Sequence, residues 1–460
     1  MKKITAALLI VMVTGSLFLS CQSDLGDAVI GASGTSLGSV DTDGDGISDG
    51  TAIDSDGDGE ADGIDTDGDG TIDEEWSSDY TITDSSDSSS SDSSSSESSE
   101  ATVTEDGTEE HPFLIETADD LANVGAESTG YEDWTTSSYY KLTADIDLTA
   151  SGYSEWSPIS YISGSFDGND HTISNMVITT SNSSLERYGL FRTLSWGAVV
   201  KDLTITGSIT LPDTDGTTVN INKTDKYIGG LAGLAYGGST PGGDSAVAST
   251  ITNCHSNVSI STYGYMVGGL IGYCQYEGVE ITGCSAEGSV TGGAAKGNKS
   301  EYGAVGGLIG YAEGAVINKS FATGEVSLQE YAKYAGGLVG ITTDTSTYKN
   351  CYSQGDVSSV SGIAYIMGGF FGKAGGTLSA TNCYASGTIS GDYNDGGEGF
   401  YTEGSSVTAS NCFAMDTNTA SGVTTLTETQ FKTKSTFTDA GWDFDSIWTI
   451  DDGNEYPDLQ

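Results

Sequence analysis

An all-β solenoid, a parallel β-helix, is the fold that this chain of 460 residues predicts, and three observations predict it. A glycine pair followed by a large apolar residue recurs at Gly229-Gly230-Leu231, Gly268-Gly269-Leu270, Gly306-Gly307-Leu308, Gly336-Gly337-Leu338 and Gly368-Gly369-Phe370, with a worn copy at Glu398-Gly399-Phe400. The spacing is 30 to 39 residues, the period of stacked supersecondary units. Each copy is answered by an Asn or Gly before a cysteine, at Cys254, Cys284, Cys351, Cys383 and Cys412, with Ser320 standing in that column in the third copy. Aligned on this column, small residues follow at the second place (Ser256, Ala286, Ala322, Ser353, Ala385, Ala414) and β-branched ones at the sixth (Ile260, Val290, Val326, Val357, Ile389). That alternation is the period of a strand.

Before the Asn or Gly position the parity flips: Val279, Ile281, Ala315, Ile317, Leu378 and Ala380 lie an odd number of residues ahead of the column. A corner residue in the left-handed region produces such a flip, and Asn and Gly tolerate it. Strand, corner, strand and a variable loop describe one coil, whose equivalent residues stack on the next at about 4.8 Å. An antiparallel sandwich also uses short strands but does not generate columns of like residues. The segments Tyr227-Ile-Gly-Gly-Leu-Ala-Gly, Val267-Gly-Gly-Leu-Ile-Gly-Tyr, Val305-Gly-Gly-Leu-Ile-Gly-Tyr and Ala335-Gly-Gly-Leu-Val-Gly resemble the GLUG repeat of bacterial surface proteins, which some secreted proteases carry as an accessory module. The resemblance implies a right-handed β-helix outside the cell and no shared catalytic residue.

Taken in order, the chain divides into residues 1–20, 21–40, 41–75, 76–110, 111–225, 226–415 and 416–460. The first segment joins Lys2-Lys3 to a mostly apolar run from Ile4 to Val13, which reads as a signal peptide. Ser20 before Cys21 resembles the bacterial lipoprotein signal, and the resemblance implies lipidation of Cys21 and a membrane anchor. Residues 21–40 are then a lipidated flexible linker on the bacterial cell surface, in the outer membrane; simple secretion is the alternative.

From Gln22 to Glu110 there are 27 acidic residues and no Lys or Arg, a composition that predicts a disordered acidic tether with no compact core. Within 41–75, carboxylates recur at loop positions 1, 3, 5 and 9: Asp41, Asp43, Asp45 and Asp49; Asp54, Asp56, Asp58 and Asp62; Asp65, Asp67, Asp69 and Asp73. Calcium takes six to eight oxygens, and a glycine after the third carboxylate permits the sharp turn such a cage needs. These loops resemble thrombospondin type 3 and dockerin-like aspartate repeats, which implies calcium as cofactor and loops that share ions. Residues 76–110 alternate serine and acid as a flexible linker.

The folded part opens with a strand at His111–Glu116 and a helix started by Thr117 and Asp120, expected to cover the first coil. Residues 140–148, 156–159 and 165–173 resemble the opening coils that precede GLUG repeats; 189–191 with 199–205 read as a further coil, Leu211 to Thr224 as an excursion loop, and 416–460 as a closing cap with a short helix at 426–431.

Net charge of -50 excludes nucleic acid as a partner, because a phosphate backbone demands a basic surface. No metalloprotease, nucleophile-elbow or Walker motif is present, and Glu277, Glu287, Glu325 and Asp356 form no recurrent pair. The cysteine column reads as a ladder of buried small groups, with a stacked disulfide as the alternative. Phe321, Tyr352, Tyr384 and Phe413 follow that column on the outer face, a candidate surface for an extracellular glycan or protein, unless loops cover it or the rings stack on each other. The sequence therefore predicts a non-catalytic, adhesin-like or structural surface lipoprotein. A polysaccharide lyase or hydrolase acting along the groove is the alternative.

Overall fold

The computed structural model describes residues 35–41, 50–54, 63–66, 71–72, 74–75 and 81–83 and, further on, 105–179, 185–211, 226–238, 247–293, 303–329, 332–359, 366–391, 398–404, 407–415 and 420–460. The chain divides into two compact units, Met1–Glu100 and Ala101–Gln460.

The first unit departs from the coreless tether its composition predicts. Five short strands, β1 (Thr35–Asp41), β2 (Gly50–Asp54), β3 (Gly63–Asp65), β4 (Glu74–Glu75) and β5 (Thr81–Thr83), form an antiparallel sheet in the order β4-β3-β2-β1-β5. Ile53, Ile64 and Ile72 are buried. Average composition hides this, because single apolar residues spread through acidic sequence are gathered only when hairpins bring the strands together.

The second unit is a parallel β-helix. Its broad sheet runs from Phe113–Ile115 through Tyr139–Leu142, Ser165–Ile178, Val199–Leu211 and Thr250–Thr262 to Val423–Thr425, each strand parallel to the next. Two further parallel sheets complete the wall, one of six strands and one of eight. In each coil the glycine pair joins them, as where Met266–Gly268 of the six-stranded sheet leads to Ile271–Gln275 of the eight-stranded one. Leu231, Leu270, Leu308, Leu338, Phe370 and Phe400 all point into one continuous core and are fully buried there. Helix α1 (Ala118–Asn123) starts on the expected capping box, Thr117 with Asp120, and adds Ala118 and Leu121 to the same core.

Asn253, Asn350, Asn382 and Asn411 have φ between 50° and 54°, and Gly283 has φ 68°, so the expected left-handed corners exist. In the third coil the corner falls on Lys319, at φ 47°. The Asn side chains then bond coil to coil: Asn411 Nδ2 donates to Asn382 Oδ1 (3.2 Å), Asn382 to Asn350 (3.4 Å), and Asn350 to Asn318 (3.3 Å). A stacked column of one residue type can bond to itself because each amide is both donor and acceptor.

The turn also explains the cysteines. Each thiol of the column lies 3.2–3.4 Å from the carbonyl oxygen two residues earlier, and Ser320 Oγ donates to the equivalent Asn318 oxygen at 2.8 Å. The column requires a small buried group that donates a hydrogen bond, which cysteine and serine both supply. All six cysteines among the described residues are free and buried, so the ladder is unbridged. Burial pushes the Cys254 and Cys383 thiols well above their ordinary value, which suppresses the thiolate and keeps them inert.

The small residues of the next column face the second glycine of each pair. A Cβ on Gly269 would lie 2.7 Å from Ala286 Cβ, and one on Gly307 would lie 2.8 Å from Ala322 Cβ. Ser256 and Ser353 use the same proximity to donate to the Gly269 and Gly369 carbonyls (2.7 and 2.6 Å). Overpacking at this contact should cost about 1–3 kcal/mol. Gly269→Val is therefore expected to lower the midpoint of chemical denaturation clearly, while Ser289→Ala, at an exposed position, leaves it unchanged.

Candidate functional site

The structure places Phe321, Tyr352, Tyr384 and Phe413 on the outer face of the broad sheet, in adjacent strands, as the alternation requires. They do not form an open stripe. Phe321 stacks on Tyr352 (4.6 Å between centroids, 5° between planes) and Tyr352 on Tyr384 (5.0 Å, 5°), so the ring faces are already taken. The chain after Val423–Thr425 then folds back over the column. Helices α2 (Glu428–Phe431) and α3 (Lys434–Thr438) bring Phe431 and Phe437 against it, followed by Trp442 and Trp448. Tyr352, Tyr384 and Phe413 retain 2%, 0% and 5% of their exposure, and only Phe321 is half-buried. The expected closing cap is therefore a strap along the flank, and the exposed binding surface expected at these four residues is corrected to its anchor.

Polar groups fix the strap. Tyr352 Oη donates to Asp458 Oδ1 (2.6 Å), Tyr384 Oη donates to the Pro457 carbonyl, and Gln354 Nε2 donates to Tyr384 Oη (2.6 Å). Asp458–Leu459 pairs antiparallel with Trp448–Thr449. Where sheet and strap diverge, a cleft of about 380 Å³ opens, lined by Gln354, Lys432, Asn454, Glu455, Tyr456 and Asp458. Lys432 Nζ sits 2.9 Å from Glu428 and 5.5 Å from the centre of the Tyr456 ring. Sequence reasoning missed this cleft, since Asn454 to Asp458 belong to no repeat. The available signal was the cluster of polar residues around Tyr456-Pro457 in a segment already assigned to closure.

Of the twelve aspartates expected to bind calcium, Asp41, Asp54 and Asp65 are the last residues of β1, β2 and β3; the other nine, and Cys21, lie outside the described residues. Asp54 pairs with Thr35 at the start of β1, and Asp65 pairs with Thr51 near the start of β2. Antiparallel order thus puts Asp41 and Asp65 at one end of the sheet and Asp54 at the other. Glu277, Glu287, Glu325 and Asp356 are all exposed; Glu277 and Glu287 lie on one coil, on either side of its Cys284, and Glu325 and Asp356 stand on the next two.

The model of the GLUG motif matches residues 301–327. Halomucin of Haloquadratum walsbyi is 32% identical over 129 residues, which is 26% of this chain and 1% of that protein. The chain therefore spans about 1% of the length of this curated relative. Among solved structures, a candidate immunoglobulin A1 protease from Bacteroides ovatus aligns with a TM-score of 0.41 and 17% identity, covering 77% of this chain and 94% of that one. A structure described as IgA1 Protease aligns with a TM-score of 0.40 and 18% identity, covering 66% of this chain and 21% of that one. By its own strand topology the second unit is a parallel β-helix, and residues 301–327 within it match the GLUG motif.

Burial raises the Tyr352 and Tyr384 phenols above the ordinary value of 10.0. Because the unfolded chain ionises first, the stability these groups contribute is whole below about pH 10 and is lost as pH rises beyond it. Raising the pH should release the strap, read as tyrosinate absorbance appearing together with a shift in tryptophan fluorescence. Tyr352→Phe combined with Tyr384→Phe should move that transition to higher pH.

Proposed function

We propose that this chain is a non-catalytic display protein of the bacterial cell surface, anchored through lipid on Cys21 and carrying its β-helix on an acidic, calcium-binding stalk. The observation that carries the reading is the use made of the repeat. Its leucine, cysteine, asparagine, glycine and small-residue columns are all engaged in stacking coils, so repetition lengthens a rigid body and gathers no reactive group. The GLUG match at residues 301–327 supports the same reading. Ligand recognition then belongs to what the columns leave outside, with an extracellular glycan or protein as partner.

In the stalk, each Asp loop follows the last residue of a strand, so a cation bound there neutralises carboxylates that otherwise repel one another around the small sheet. Titration of the full chain with Ca²⁺ should give saturable heat, together with protection of residues 35–83 from proteolysis. Neither effect appearing would remove calcium from the proposal.

The anchor is tested separately. Growth with radiolabelled fatty acid should label the protein, and Cys21→Ala should abolish the label and release the chain from the membrane fraction. An assay on acidic polysaccharides should yield no unsaturated product; release of such product would replace the display reading with a lyase.

A further inference from the structure

We propose that the cleft between the broad sheet and the returning C-terminal strap binds an uncharged oligosaccharide. The inference deepens the display reading, from which it takes its extracellular setting. Its evidence is the cleft itself.

The volume of about 380 Å³ lies in the range of about 300–1,000 Å³ typical of small-ligand sites. The lining is chemically mixed: carboxylates of Glu455 and Asp458, amides of Gln354 and Asn454, the ammonium of Lys432 and the ring of Tyr456. A sugar hydroxyl both donates and accepts, so it is satisfied by a wall that alternates acceptors, donors and amides. A ring hydrogen or methylene needs an apolar contact, which Tyr456 supplies. A protein partner would instead need a broad apolar centre.

Electrostatics narrows the class. Lys432 is the one cation of the lining and is paired with Glu428, so with Glu455 and Asp458 the cleft and its margin carry more carboxylates than cations. Uronic acids and sulfated sugars are repelled there, on a chain whose net charge is already -50. Neutral hexoses and N-acetylhexosamines carry no such penalty.

The walls are also held in place before any ligand arrives. Asp458 is fixed by the Tyr352 hydroxyl and Gln354 by the Tyr384 hydroxyl. Asn454 Nδ2 bonds Asp451 at 3.1 Å, and the Gly453 amide donates to the Lys432 carbonyl at 2.6 Å. A preformed site avoids the ordering cost that weakens binding by flexible loops. Asn454, Glu455 and Asp458 are all exposed, but the side chains of Asn454 and Asp458 hold the strap by hydrogen bonds, so Glu455 is the lining group whose replacement should leave the fold intact.

The experiment uses the purified full chain and four trisaccharides: cellotriose, maltotriose, triacetylchitotriose and trigalacturonate. Binding is read by saturation-transfer NMR and by tryptophan fluorescence, since Trp448 lies 6.2 Å from the ring centres of both Tyr352 and Tyr384. At least one uncharged trisaccharide should saturate, and loss of one charge-assisted hydrogen bond in Glu455→Ala should weaken it about tenfold or more. The thermal midpoint should not change, and Asp439→Asn, exposed and outside the cleft, should bind as the parent does. The proposal is overturned if no uncharged trisaccharide saturates, if Glu455→Ala binds like the parent, or if trigalacturonate binds equally well. None of these failures touches the acylation result, and a chain that binds the sugar without being acylated or surface-exposed overturns the display reading alone.

Discussion

The coils of this solenoid can close to strand spacing because the second glycine of each Gly-Gly pair has no side chain where the neighbouring wall approaches. Gly269 faces Ala286 and Gly307 faces Ala322 at distances that leave no room for another carbon. That contact joins the corner of one wall to the inner column of another. It constrains both positions at once: one must be glycine and the other alanine or serine. The leucine after the pair then falls inward and the core fills by repetition.

The second constraint is the left-handed corner, which costs an ordinary residue about 1–2 kcal/mol and turns side chains from one face to the other. Four of the corners meet it with asparagine; Asn350, Asn382 and Asn411 gain a ladder of amide bonds that ends on Asn318, and Asn253 donates to Asp202 instead. The donor column beside it binds a carbonyl within the same turn, through cysteine or serine. These local solutions recur because each coil faces the same geometry, and they explain why the repeat is so rich in small polar residues.

The flank is organised differently. Aromatic residues placed outward by the alternation would leave an apolar strip in water, and the strap removes it by laying Phe431, Phe437, Trp442 and Trp448 along it. Anchoring the strap leaves a polar cleft at its margin, with side chains from the sheet on one side and from Asn454 to Asp458 on the other. The site is therefore a by-product of closure, assembled from residues about a hundred positions apart.

Columns of like residues at a fixed period determined the solenoid, the corner conformation and the inward face from the sequence alone, because stacking makes a tertiary contact repeat as a one-dimensional pattern. Phe321, Tyr352, Tyr384 and Phe413 were legible as outward for the same reason. Their burial was not, since the strap that covers them has no period and meets them only through the fold. Likewise the acidic composition of the first unit concealed a sheet around Ile53, Ile64 and Ile72, because pairing between hairpins is not written in composition. The sequence alone specified what one coil must do to stack on the next; only the tertiary structure decided which outward surface remained open, because non-repeating contacts between distant segments leave no period to read.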